Sequence, residues 1–198
     1  MNEVAGAVLA LWNDVTPELD AEYNDWHANE HVPERLEVPG MLWGRRYANV
    51  DGSAVPRYLT LYGLRDSQVL ESASYQRLLR EPTPASARMR PHLCQISRWV
   101  CRLHAQGDFL GADALAVWTF EAEAEARGQA RQEESDALLA ERIPDAAPLP
   151  WLSSDQAHTI RGNWLMARRA RGGREESLPL RGALMYSALP VKAVSRRA

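Results

Sequence analysis

The first apolar run, AVLALW at 7–12, is too short for a helix and reads as a buried strand. Asn13, Asp14 and Thr16 follow as candidate caps, with Pro17 and Glu18 where a first helical turn accepts a proline and an acid. Leu19, Tyr23, Trp26, His27 and Glu30 then recur every three or four residues, which predicts a helix with an aromatic stripe and a histidine-rich last turn before Pro39-Gly40. Stretches 41–50 and 56–64 read as a hairpin around Asp51-Gly52-Ser53. Trp43, Arg45 and Tyr47 share one side of the first strand, and Tyr58, Thr60 and Tyr62 share one side of the second. A second helix over 67–80 is broken by Pro82 and Pro84, and 94–103 is a fourth strand. The order β-α-β-β-α-β predicts an α+β fold of ferredoxin-like type, a four-stranded antiparallel plait with two helices on one face, complete within 1–107.

Gln106, Gly107 and Gly111 mark a linker, after which ALAVW at 114–118 echoes the LALW of the first strand. A polar Glu- and Ala-rich helix is expected over 122–142, its apolar face held by Leu138, Leu139 and Ile143. Strands are expected at 160–169, with Trp164, and at 181–189. The plait is thus duplicated in one chain. Its second copy, 112–198, stops at β-α-β-β with no room for a last strand, and leaves a sheet edge that needs cover.

Composition narrows the class. With 198 residues, 45% hydrophobic and 25% charged, the chain has the balance of a globular protein, and a net charge of −3 argues against nucleic acid or an anionic membrane as partner. The apolar run 5–12 lacks a cationic flank and is too short for a signal or a span. Cys94 and Cys101 lie on one predicted strand, roughly 23 Å apart and on opposite faces, so they cannot pair. Two unpaired thiols without an export signal place the chain in the cytoplasm.

Residues 21–47 carry an aromatic pair on a helix, a histidine followed by x-Pro, and a Pro-Gly turn into a strand. In this the sequence resembles the EthD-like branch of the dimeric α/β-barrel superfamily, with Trp26, His27, His31, Pro33, Pro39 and Gly40 at the matching positions. The resemblance implies two plaits facing each other across an enclosed pocket, from two chains or two halves of one. The activities it implies include dehydratases, cyclases, isomerases and cofactor-free monooxygenases, and the fold does not choose among them.

His31 stands where the resemblance puts the family's histidine, and an imidazole can take and return a proton near neutral pH. The competing reading is a buried histidine that pins the helix end by hydrogen bonds. Tyr62 and Arg45 are the candidates to stabilise negative charge beside it. Trp12, Tyr23, Trp26, His27, Trp43, Tyr47, Tyr58 and Trp99 are the candidate substrate-binding residues. The strand aromatics, Trp118 and Trp164 included, would form an apolar patch on the sheet face away from the helices, which a second sheet must cover. His27 to His31 also match H-x-x-E-H, but Pro33 disrupts the helix at the motif and no third ligand is assignable, so no metal is expected. His92 and His158 fall in loops. The expectation is a cofactor-free enzyme, lyase-, cyclase- or isomerase-like, acting by histidine acid/base chemistry on a hydrophobic cyclic or aromatic small molecule, as a homodimer. The alternatives are a cofactor-independent monooxygenase and a non-catalytic ligand-binding or dimerisation protein.

Overall fold

The computed structural model describes residues 4–49, 56–108, 110–132, 137–144, 146–170 and 183–192. Eight strands are formed among them: β1 (Ala7–Val15), β2 (Met41–Asn49), β3 (Tyr58–Leu64), β4 (Leu93–Ala105), β5 (Ala114–Phe120), β6 (Leu138–Arg142), β7 (Trp164–Arg169) and β8 (Leu184–Leu189). They close into one antiparallel barrel in the order β1-β3-β2-β8-β5-β7-β6-β4. The first half supplies β4-β1-β3-β2 and the second β8-β5-β7-β6, and pairing of β2 with β8 and β4 with β6 seals the ring. The helices α1 (Asp20–Trp26), α2 (Val32–Leu36), α3 (Ala73–Arg80) and α4 (Pro84–Met89) cover the first half, and α5 (Glu123–Gln132) packs on the second.

Alternation along the strands sends one set of side chains inward and the other outward. Val8, Ala10, Trp12, Tyr47, Leu59, Leu61, Trp99 and Cys101 meet Leu115, Val117, Leu138, Leu165 and Tyr186 in the barrel interior. Trp12 and Trp99 pack edge to face there, with 5.4 Å between ring centroids. Gly63 lets the Trp43 indole lie on the β3 backbone, since a Cβ at 63 would stand 2.1 Å from Trp43 Cε2. Outside, Leu9, Tyr58, Tyr62 and Leu64 pack against Tyr23, Trp26, Val32, Tyr75 and Leu79.

Three sequence expectations are corrected. The helix expected over 122–142 ends with α5 at Gln132, and its Leu138 and Leu139 belong to β6. There Leu138 and Ala140 enter the barrel while Leu139 packs outward, a two-residue period that a run of five cannot distinguish from a helix face. The second half therefore contributes four strands, and the open edge expected of an unfinished repeat is absent because the barrel closes within the chain. The strand aromatics do not share one face: Trp12, Trp43, Tyr47 and Trp99 lie inside, Tyr58 and Tyr62 face the helices, and Trp118 and Trp164 pack outside with α5. The sheet face that a second sheet was expected to cover is closed off within the chain by the strands of its second half. The β2–β3 hairpin forms as expected, although its turn lies outside the described residues. Cys94 and Cys101 are both free. No helix among the described residues is long and apolar enough to cross a membrane.

Trp99→Ala should destabilise the protein by about 3–5 kcal/mol in a denaturant titration, because the ring is fully buried and its Trp12 partner loses its packing. A loss below about 1 kcal/mol would show that the barrel centre is not close-packed.

Candidate active site

The chain after β1 does not run as one even helix. α1 ends at Trp26 and continues as a wide turn, His27–His31, in which the Val32 N–H bonds the His27 carbonyl five residues back. Pro33 accounts for the widening, because it has no N–H and its ring opposes the carbonyl four residues earlier in a regular α turn. The Ala28 carbonyl, which a residue at 33 would otherwise serve in the wide register, accepts from the Lys192 N–H at 3.0 Å. Beneath the turn sits Gly44 of β2. A Cβ there would stand 2.9 Å from Val32 Cγ1 and 3.2 Å from the Tyr62 ring, so any larger residue would lift the turn off the sheet.

The wide turn stacks His27 on His31, with 4.6 Å between ring centroids and 27° between planes. Trp26 lies 4.4 Å from His31, and Tyr23 lies 5.0 Å from His27. A cavity of about 40 Å³ opens beside them, lined by Trp12, Tyr23, Trp26, His27, His31 and Arg35 together with Tyr75 and Leu79. Leu149 and Trp151, from the connection between β6 and β7, complete its wall. Pro148 and Pro150 of the same segment line a larger cleft of about 380 Å³, and Leu79 lines both spaces.

Guanidinium groups surround this apolar site. Arg46, 2% exposed, bonds the Asn24 side-chain oxygen at 2.8 Å and the carbonyls of Asn24 and Pro190 at 3.3 and 3.2 Å. Arg35, 5% exposed, bonds the His31 carbonyl at 3.0 Å and meets Glu34 at 3.4 Å. Arg90 bonds the carbonyls of Leu79 and Leu78 and lies over the Trp151 ring, 5.1 Å from its centroid.

Burial, then Arg46 and Arg35, hold His27 well below the usual histidine range; burial, then Arg35 and His27, do the same for His31. Both imidazoles are uncharged at neutral pH. Burial pushes the Tyr23 and Tyr62 phenols up, so both stay protonated. Tyr23 donates to Asn13 Oδ1 at 3.1 Å. The Tyr62 hydroxyl, the Nδ1 atoms of His27 and His31 and the Trp151 Nε1 are buried without a hydrogen-bond partner among the described residues.

Of the proposed catalytic trio, His31 lines the cavity, and Tyr62 lies on the same helix side of the sheet, packed with Tyr23, Trp26 and Tyr75 but outside the cavity lining. Arg45 is not with them. It points to the barrel side of β2 with Trp43 and Tyr47 and bonds the Leu110 carbonyl at 2.8 Å and the Gly44 carbonyl at 2.9 Å. Its neighbour Arg46 faces the histidines, whereas Arg45 stands on the side of the packed barrel interior. Tyr23, Trp26 and His27 line the cavity, Trp12 reaches it from the barrel core, and Trp99 remains inside. Tyr58 donates to Asp20 and accepts from Asn24 Nδ2 at 2.8 Å. Arg35, Arg46, Tyr75 and Trp151 were not anticipated. Arg35 had a readable signal, standing four residues after His31 on the same helical face. Glu30 of the H-x-x-E-H match accepts from Thr83, and among the described residues no group of three His, Cys, Asp or Glu could hold a metal ion. His92 is exposed and His158 half-buried, both away from the cavity wall.

No family model matches the chain. Over 86 residues, 43% of its length, it is 28% identical to core atranone cluster (CAC) protein 1 of Stachybotrys chlorohalonatus (strain IBT 40285), and that stretch is 37% of the relative's length. Among solved structures it is similar to an anthrone oxidase-like protein, with a TM-score of 0.54 and 12% identity over 92% of this chain and 90% of the other. At that identity the likeness shows a shared fold over nearly the whole of both chains.

The buried histidines make stability pH-dependent. Their folded pKa values lie below the unfolded value of 6.5, so the unfolded state binds more protons once pH falls below that value. Stability is fully present above pH 6.5 and should fall by about 1.4 kcal/mol per pH unit per histidine as pH drops toward the folded values. Urea titrations at stepped pH check this, and the slope attributable to these residues should vanish in a His27→Gln/His31→Gln double variant.

Proposed function

We propose that the protein is a small-molecule enzyme of secondary metabolism that removes a proton from carbon in a planar, hydrophobic cyclic substrate, without a bound cofactor and with His31 as the base. The observation that carries this reading is the pair of uncharged, stacked imidazoles in an apolar pocket flanked by buried guanidiniums. A neutral histidine can accept a proton, and Arg35 and Arg46 stand where they can stabilise the anion that results. The guanidiniums weaken His31 as a base before substrate is present, but the anion formed at the site then stabilises the imidazolium. Likeness to a biosynthetic-cluster protein and to an anthrone oxidase-like fold supports the same substrate class.

The two halves, 1–107 and 112–198, read as two ferredoxin-like plaits fused in one chain, in the manner of the EthD-like branch. What supports this is the fourth-first-third-second strand order in each half. A cavity of about 40 Å³ is far below the roughly 300 Å³ of ordinary ligand sites. A ring system therefore enters where Leu149 to Trp151 separate the cavity from the 380 Å³ cleft.

From the carbanion, dehydration follows by loss of hydroxide, isomerisation by return of the proton at another carbon, and cyclisation by attack on a carbonyl of the same molecule, whose oxygen takes the proton. A second reading, oxygenation, is favoured by the anthrone oxidase-like neighbour: a methylene and one O₂ give a ketone and one water. Anthrone is a suitable probe, being a planar ketone with an acidic methylene. His31→Ala should lower kcat on it by about 10²–10⁴. Unchanged turnover would remove His31 as the base. Turnover that stops without O₂ and yields the quinone identifies the oxygenase, whereas methylene exchange with solvent that continues without O₂ shows proton transfer alone.

A further inference from the structure

Two features of the site go unused by proton removal alone. The Trp151 indole N–H is buried and has no acceptor among the described residues, although the residue lines the cavity with His31 and Arg35. An indole nitrogen only donates, so the absent partner is an acceptor. The Arg90 guanidinium over the ring draws on its electrons and strengthens that donor.

The second feature is charge. Arg46, almost fully buried, bonds the amide oxygens of Asn24 and Pro190 and meets the Tyr23 phenol, all of them neutral groups. Arg35 meets one carboxylate, the partly exposed Glu34, and Arg90 bonds two carbonyls. Buried cations ordinarily have an anion beside them, and among the described residues this site holds more positive charge than negative.

We propose that the cavity is complementary to an oxyanion on a planar ring, the enolate formed when the proton leaves, and that Trp151 is the specificity-determining residue whose indole N–H donates to that oxygen. Arg35 and Arg46 supply the balancing charge. The inference rests on the substrate class proposed above and adds to it the ionised state that the site selects. It also gives the second half of the chain a role in a site otherwise built by the first. A planar phenol, an analogue of the enolate, should therefore bind as its phenolate.

The test uses the full-length protein with 2-hydroxyanthraquinone, whose visible band reports ionisation, and its methyl ether, at a pH where the free dye is neutral. The bound dye should show the phenolate band and bind at least about tenfold more tightly than the ether. Trp151→Phe, which keeps the ring and removes the donor, should weaken the phenol by about tenfold and leave the ether and the melting temperature unchanged. A neutral spectrum for the bound dye, equal affinity for the ether, no effect of Trp151→Phe, or no binding of either dye overturns the proposal. The readout is independent of turnover. Anthrone turnover unchanged in His31→Ala would count against His31 as the base and leave a phenolate spectrum standing, whereas a neutral bound dye would count against the oxyanion site with turnover intact.

Discussion

The missing N–H of Pro33 is the constraint from which the geometry of the site follows. A regular α turn cannot pass the proline ring, so the helix widens over His27–His31 and brings one imidazole over the other. The same widening leaves the Ala28 carbonyl without a partner in the helix, and the Lys192 N–H fills it. That bond draws the segment after β8 against the turn, where the Pro190 carbonyl becomes a ligand for the Arg46 guanidinium. A single imino acid thus links the stacking of the two histidines to the placement of one of the cations that, after burial itself, hold them uncharged.

Closure of the barrel within one chain divides the aromatic residues into two sets with different work. Trp12, Tyr47, Trp99 and Tyr186 fill the interior and hold the sheet together. Tyr23, Trp26 and Tyr62 lie outside, under the helices, where they exclude water from the histidines. The two halves are unequal in this respect. The helix over the second half, α5, carries no histidine and covers Trp118, Trp164 and Met166. What the second half adds to the cavity wall is the segment from 146 to 152, with Leu149 and Trp151 in the lining and Arg98 Nη1 bonding the Ala147 carbonyl at 2.7 Å.

Much of the first half was legible in the sequence, because its elements are bounded by caps, prolines and glycines that act locally. The strands at 7–12, 41–50, 56–64 and 94–103 correspond to β1 to β4, and the histidine turn lies where Pro33 disrupts the helix. The rest depended on long-range structure. β6 was hidden because Leu138 and Leu139 end a Glu- and Ala-rich run whose local preference is helical, and only the gap between β4 and β7 makes them a strand. Arg45 and Arg46 were separable by face, but which face carries chemistry depended on the barrel closing around the other one. Trp151 sits in a proline-rich stretch with no period to read, and its place in the cavity wall comes from the anchoring of 156–158 to Ile96 of β4.

The central claim is that His27 and His31 are uncharged because they are out of water beside guanidiniums. A pH titration of ¹⁵N-labelled histidine rings by NMR tests it most directly, with the signals assigned by His27→Gln and His31→Gln. The account predicts that both rings keep neutral-imidazole shifts as pH falls through the ordinary histidine value of 6.5. Protonation of either ring at or above that value would contradict it.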